Sequence, residues 1–268
     1  MNNCVSKITV LAENDSAPGL GAEHGLSMLV EHRKNKILFD FGASSLWLEN
    51  AEKMNIDLSD LKHAFLSHGH NDHTGGLRFF SGKIFCHPAI DSAHFSLHPG
   101  KAPKNLTMPP ESQKVLKNSE VFHTAEPCEI LPGLFCTGEI PRLSKEDCGG
   151  PFFTGIDGAE RDFITDESAL LLDNGTLIHG CCHSGIINTV EHCSKIFPAI
   201  KIKTVIGGLH LLHADTARLD QTAAFLKSCG IEKLYLMHCT GNDAIVFLRH
   251  NLTECDIRTI RGGDIITV

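Results

Sequence analysis

The loop Ser67-His68-Gly69-His70-Asn71-Asp72-His73 constrains this chain more than any other feature, because it sets four potential metal ligands, His68, His70, Asp72 and His73, within six residues. The apolar run His63–Leu66 reads as a strand that ends where the loop begins. Gly69, Gly75 and Gly76 are expected to permit tight backbone turns around an ion. Imidazole nitrogen and carboxylate oxygen suit zinc, iron or manganese, and no thiolate is required. Side chains separated by a single residue and those separated by three point to two neighbouring positions, so two metals are the natural inference. A solvated polar loop rich in histidine is the ordinary alternative; it leaves the coincidence of strand end, paired glycines and four ligands unexplained.

The 268 residues can bury one substantial core or two small ones, and 42% hydrophobic with 21% charged residues describes an ordinary globular protein. Lys plus Arg total 24 against 32 Asp plus Glu, and the formal net charge of -8 provides no basic field for phosphate backbones or anionic lipid. The expected partner is therefore a small-molecule substrate, with no nucleic acid and no membrane; nothing fixes the oligomeric state. The opening Met1–Lys7 lacks the charged flank and apolar run of a secretory signal, and no stretch approaches the roughly 20 apolar residues of a membrane span, so a cytoplasmic protein is expected. The 11 cysteines are scattered, odd in number and without a Cys-x-x-Cys pair, which suits reduced, small core residues. Of the 17 histidines several fall where strands give way to loops, whereas His32, His94, His98, His192 and His250 read as surface or satisfied core positions.

Strands are expected at Lys7–Glu13, Gly25–Glu31 and Lys36–Phe41, then a loosely patterned helix from Ser44 to Met54. After the histidine loop, the proline-rich stretch from about 87 to 165 reads as an insertion covering the site within a single domain, 1–268, with strand candidates at Glu120–His123 and Glu129–Phe135. The last third returns to alternation. Strands are expected at Ala169–Leu172, Thr176–His179, Thr204–Ile206 and Lys233–Met237, with helices at Ile186–Phe197 and, capped by Asp215, at Thr216–Cys229. The class is α/β or a strand-rich α+β sandwich, with no fixed-period repeat.

The run Leu66-Ser67-His68-Gly69-His70-Asn71-Asp72-His73-Thr74-Gly75-Gly76-Leu77 resembles the signature of the metallo-β-lactamase fold superfamily. Glu23-His24-Gly25-Leu26-Ser27, Ile37–Gly42, Thr137–Arg142, Asp166–Leu170, Gly180–Ile186, Ile206–His210 and His238–Gly241 resemble one branch of it, labelled dihydropterin ribofuranosylaminobenzene-phosphate synthase-like. The resemblance implies a four-layer αββα sandwich with metals at one edge between two sheets. It also suggests His183 and His238 as further ligands and His210 as a ligand, substrate contact or proton donor. Many superfamily members bridge the metals with a carboxylate; here Cys181 sits near the expected position, with Cys182 where the branch more usually has serine. A thiolate bridge there would favour a softer metal, whereas two buried cysteines would leave the second metal weakly held. Asp40 is placed either to orient a ligating imidazole or to form a turn before Gly42.

The activity expected from this set is metal-dependent hydrolysis by a metal-bound hydroxide, with two divalent ions, zinc first and iron or manganese as alternatives. His68, His70 and His183 would hold one ion, and Asp72, His73 and His238 the other, with Asp72 and His210 as the catalytic pair. Glu139 and Arg142 are further candidates for substrate contact, or an ordinary surface ion pair. Three alternatives remain open. One is transferase chemistry joining a dihydropterin to an aminobenzene-ribose phosphate. Another is iron-dependent oxygen or sulfur chemistry, against which His70 stands where diiron electron-transfer relatives typically have a carboxylate. The third is a non-catalytic metal-binding module, which the open coordination positions disfavour.

Overall fold

The computed structural model describes residues 5–144, 146 and 150–268. Two seven-stranded sheets make the body. The first has the spatial order Ile265–Thr267, Lys7–Ala12, Ser27–His32, Asn35–Phe39, His63–Phe65, Lys83–Cys86, Val121–His123. The second runs Asp256–Thr259, Lys233–Leu236, Thr204–Gly207, Thr176–Ile178, Leu170–Leu172, Leu134–Cys136, Cys128–Leu131. Each sheet is antiparallel on one side and parallel on the other: the first changes at Asn35–Phe39, the second at Thr176–Ile178.

Strand residues alternate between two buried environments, which is why these runs are apolar throughout and do not alternate with polar residues. Ile8, Val10, Met28, Val30, Ile37 and Phe39 pack between the sheets against Leu134, Leu170, Leu172, Ile178 and Ile206. Their neighbours Leu29, Leu38, Ala64 and Ile84 face outward, onto Trp47 and Ala51 of the helix Leu46–Lys53 and Leu116 of the helix Pro110–Asn118. On the far side Leu171, Leu177, Val205 and Leu234 meet the helices Ile186–Ile196, Thr216–Cys229 and Asn242–Asn251. The order is helix, sheet, sheet, helix: the four-layer αββα sandwich the resemblance implies.

Asp215 caps Thr216–Cys229 as expected, its carboxylate accepting the Arg218 N–H at 2.8 Å. Elsewhere the structure corrects the reading. The single strand expected at Glu129–Phe135 is a hairpin of Cys128–Leu131 and Leu134–Cys136, turned at Pro132-Gly133 with Gly133 at φ +81°. The helices Pro110–Asn118 and Asn242–Asn251 were not anticipated. The stretch 87–165 divides in two roles. Val121–His123 and the hairpin join the two main sheets, while Phe95–Ser96, Lys104–Asn105 and Phe152–Phe153 form a separate three-stranded sheet beside the histidine loop. No helix among the described residues is long and apolar enough to cross a membrane.

Candidate metal centre

In open sheets of this kind, ligands bind outside the carboxyl ends of the strands, where the strand order changes direction. Both sheets present such an edge, and the candidate ligands gather there. Asp40 directly follows Asn35–Phe39 and His68 lies just beyond the end of His63–Phe65. From the second sheet, Cys181 and His183 follow Thr176–Ile178, His210 follows Thr204–Gly207, and His238 follows Lys233–Leu236. Asp40, Cys182, His210 and His238 all hold left-handed backbone conformations, with φ of +56°, +55°, +50° and +55°. Such conformations are costly for side-chain-bearing residues and cluster where the chain must aim a group.

Two trios of donor atoms result. The ring nitrogens of His68, His70 and His183 lie within 4.8 Å of one another. Next to them, His73 Nε2 is 3.3 Å from His238 Nε2, His238 Nε2 is 3.4 Å from Asp72 Oδ2, and Asp72 Oδ2 is 3.8 Å from His73 Nε2. Ligands about 2.0–2.1 Å from a tetrahedral ion stand about 3.3–3.4 Å apart, so the second trio already has ligand-like spacing. Cys181 Sγ is 3.2 Å from His73 Nε2 and shares compact groups with His68, with His183 and His210, and with His238 and Cys239. It therefore stands between the two trios, whereas Cys182 turns away into the helical core with its Sγ 3.6 Å from Thr189 Oγ1.

The donors of the first trio, and His210, are unspent. His68 Nε2, His70 Nε2, both ring nitrogens of His183 and His210 Nδ1 are buried without a hydrogen-bond partner among the described residues. Buried polar atoms are normally paired, and a bound cation would supply what these lack. Burial pushes the His70 imidazole down to about 3 and those of His68 and His183 well below their ordinary range, leaving them neutral and able to ligate at physiological pH. Burial also opposes charge on Asp72 and His238; at Asp72 the charges of His73 and His238 outweigh it and hold the carboxyl well below its usual range, and at His238 the hydrogen bond to Asp72, with Cys239 beside it, raises the imidazole to about 9. These clusters fit a metal site.

A buried outer layer fixes the donors. Asp40 Oδ2 accepts from His73 Nδ1 at 2.7 Å and from Ser67 Oγ at 2.7 Å, while its Oδ1 accepts the Ser67 N–H at 2.8 Å. Of the two roles open to Asp40, the contacts match orientation of the imidazole, since its carboxylate bonds Ser67 and His73 and no residue of a turn before Gly42. Glu13 accepts the His238 N–H at 2.6 Å; Glu167 accepts the N–H groups of His183 and Ser184, each at 2.6 Å. Asp166, which burial pushes up to about 6, accepts the Gly69 N–H at 2.7 Å. The glycines serve close approach and not the tight turns expected of them: a Cβ on Gly69 would collide with the Ile90 carbonyl, and one on Gly76 with those of Phe41 and Ser44.

Several neighbours were missed in the sequence. His24 Nε2 reaches Asp72 Oδ2 at 3.3 Å and stacks on His238; its one signal was the motif Glu23-His24-Gly25. Cys239 adjoins Cys181, its Sγ donating to the Cys181 carbonyl at 3.3 Å. His94, read as an ordinary histidine, is buried beside His70 with Nδ1 2.5 Å from Asp162 Oδ2. Burial works against its charge, yet Asp162 and Asp166 together hold its pKa above the ordinary value. Glu139 and Arg142 do not pair: Glu139 faces His87 at 3.9 Å, and Arg142 donates to the Phe163 carbonyl.

The site opens into a cavity of about 470 Å³, lined by His70, Asp72, Cys181, His183, His210 and His238 and closed on one side by Phe152 of the small sheet. That size is ordinary for a small-molecule site. The Phe152 ring lies 5.5, 5.3 and 5.8 Å from those of His70, His183 and His210, so an aromatic face borders the donors.

The metallo-beta-lactamase superfamily model matches residues 20–186. A Methanocaldococcus jannaschii protein named 7,8-dihydropterin-6-methyl-4-(beta-D-ribofuranosyl)-aminobenzene-5'-phosphate synthase is 31% identical, over 97% of this chain and 96% of its own. A second, uncharacterised protein of that organism is 30% identical over 90% of this chain and 93% of its own. A solved structure described as a metal-dependent hydrolase of the beta-lactamase superfamily superposes with a TM-score of 0.87 at 29% identity, covering 98% of this chain and 99% of the other. The expectation of hydrolysis by a metal-bound hydroxide gives way at this point. The full-length relative is named for making a bond, which favours the joining reaction first held as the alternative.

Proposed function

Because the chain belongs to the metallo-β-lactamase superfamily and is an enzyme of that fold, we propose that it is a metal-dependent synthase joining a dihydropterin to an aminobenzene-ribose phosphate. The observation that carries this reading is the end-to-end similarity to a relative named for that product. The site supports it in two ways: a cavity of suitable size, and an aromatic wall at Phe152 against which a flat pterin or benzene ring can stack.

On this reading two divalent ions, zinc first, are held by His68, His70 and His183 and by Asp72, His73 and His238, with Cys181 within reach of both. Such ions supply Lewis acidity, polarising a substrate oxygen and stabilising charge on a departing group. The chain's own residues do the rest. Asp40, Glu13 and Glu167 keep the donors aimed, so no reorganisation is needed as substrates arrive. His210 lines the cavity with an unspent Nδ1 and would take the proton that an arylamine loses as its nitrogen bonds the dihydropterin's methylene carbon, while the activating ester group on that carbon leaves with the C–O electron pair.

The test is product analysis by mass spectrometry after incubating zinc-loaded protein with the activated dihydropterin and the aminobenzene-ribose phosphate. A joined product is expected, and His210→Ala should lower turnover by roughly 10²–10⁴-fold. Cleavage of either compound with no joined product would sink the reading.

A further inference from the structure

Arg218 sits in the first turn of the helix Thr216–Cys229 and lines the same cavity as His70, His183, His210 and His238. Its side chain is only 10% exposed, yet Nε and Nη2 are buried without a hydrogen-bond partner among the described residues. Its ion-pair contact is with Glu146, whose Oε1 lies 4.0 Å from Nε, beyond hydrogen-bonding reach; Glu146 Oε2 instead accepts the Ile187 N–H at 3.1 Å. Glu146 thus balances the charge of Arg218 without using its donors. Unspent guanidinium donors in a buried wall are costly unless a ligand brings acceptors. The backbone of the helix start does not serve that purpose, since Asp215 already accepts the Arg218 N–H. In a chain of net charge -8, the cavity lining carries two permanent cations, Arg218 and Lys104, against one carboxylate, Asp72.

Resting on the synthase reading, in which one substrate carries a ribose phosphate, we propose that Arg218, assisted by Lys104, is the subsite for that phosphate monoester. The planar fork of a guanidinium meets two phosphate oxygens at once, and a lysine adds a point charge without directional demand. Such a subsite would fix which end of the aminobenzene-ribose phosphate enters the cavity, leaving its aromatic end for Phe152 and the metal centre.

Calorimetric titration of the metal-loaded protein with ribose 5-phosphate, and with ribose as the uncharged control, tests this. The wild type should bind ribose 5-phosphate and not ribose. Arg218→Met should weaken that binding about tenfold or more with unchanged metal content, and Arg218→Lys, which keeps the charge beside Glu146, should recover part of it. In turnover, Arg218→Lys should raise KM for the phosphorylated substrate and leave KM for the dihydropterin unchanged. No binding of ribose 5-phosphate by the wild type, or equal binding by wild type and both variants, overturns the subsite. Joining activity with KM unmoved in Arg218→Lys also refutes the subsite and leaves the synthase reading standing. Arg218-dependent phosphate binding by a protein that joins nothing refutes the synthase reading and leaves the subsite.

Discussion

Asp40 carries more of the site than its size suggests. Its two carboxylate oxygens hold Ser67 and His73 Nδ1, and this leaves His73 Nε2 facing Asp72 and His238. Asp40→Asn exchanges one accepting oxygen for an amide that cannot accept from Nδ1–H. Metal affinity at the His73 position should fall about 10–100-fold, read by competition with a chromophoric chelator, while the His68, His70 and His183 position changes less. Unaltered affinity at both positions would reduce Asp40 to a brace for Ser67. At this scale the histidine loop was legible because its donors are contiguous. His24, His94 and Cys239 were not, because each becomes a neighbour of the centre through a different segment: His94 carries no local signal, and the motifs holding His24 and Cys239 do not say which of their residues face the donors. Cys181 and Cys182 make the same point: adjacent residues, one turned to the metal centre and one to the helical core.

Strand ends set the geometry, and the strand Thr176–Ile178 shows what that costs. The residue after it, His179, is 1% exposed, and burial pushes its imidazole down to about 4. In the unfolded chain it titrates near 6.5. Above that pH both states are neutral and the residue contributes nothing to the pH dependence. As pH falls from 6.5 towards 4, the unfolded state takes up a proton that the folded state refuses, and stability is lost, up to about 3 kcal/mol. His179→Leu should therefore flatten the decline in denaturant-measured stability over that window; an unchanged slope would assign the acid sensitivity elsewhere. Element positions were readable wherever a run is buried on both faces, as at Lys36–Phe41 and Thr204–Ile206. They were lost in the middle, where two short strands close a hairpin at Pro132-Gly133 and look like one run. The helix Asn242–Asn251 escaped because it follows so closely on the ligand motif at His238–Gly241.

For the molecule as a whole, the two sheets each supply half of the candidate donors: His68, His70, Asp72 and His73 from the first, Cys181, His183, His210 and His238 from the second. Neither half could saturate two ions, so cations at this edge would join the two sheets through donors from both. Fold and centre were therefore legible together, through the resemblance of motifs spread from residue 23 to 241. The reaction was not, because ligands specify how a metal is held and say little about which bond it serves. Anomalous diffraction at the zinc edge, from crystals of protein purified without chelator, addresses the centre most directly. Two peaks are expected, one among the imidazoles of His68, His70 and His183 and one among Asp72, His73 and His238. Metal bound elsewhere, with both trios metal-free, would contradict the convergence on which the site and its chemistry depend.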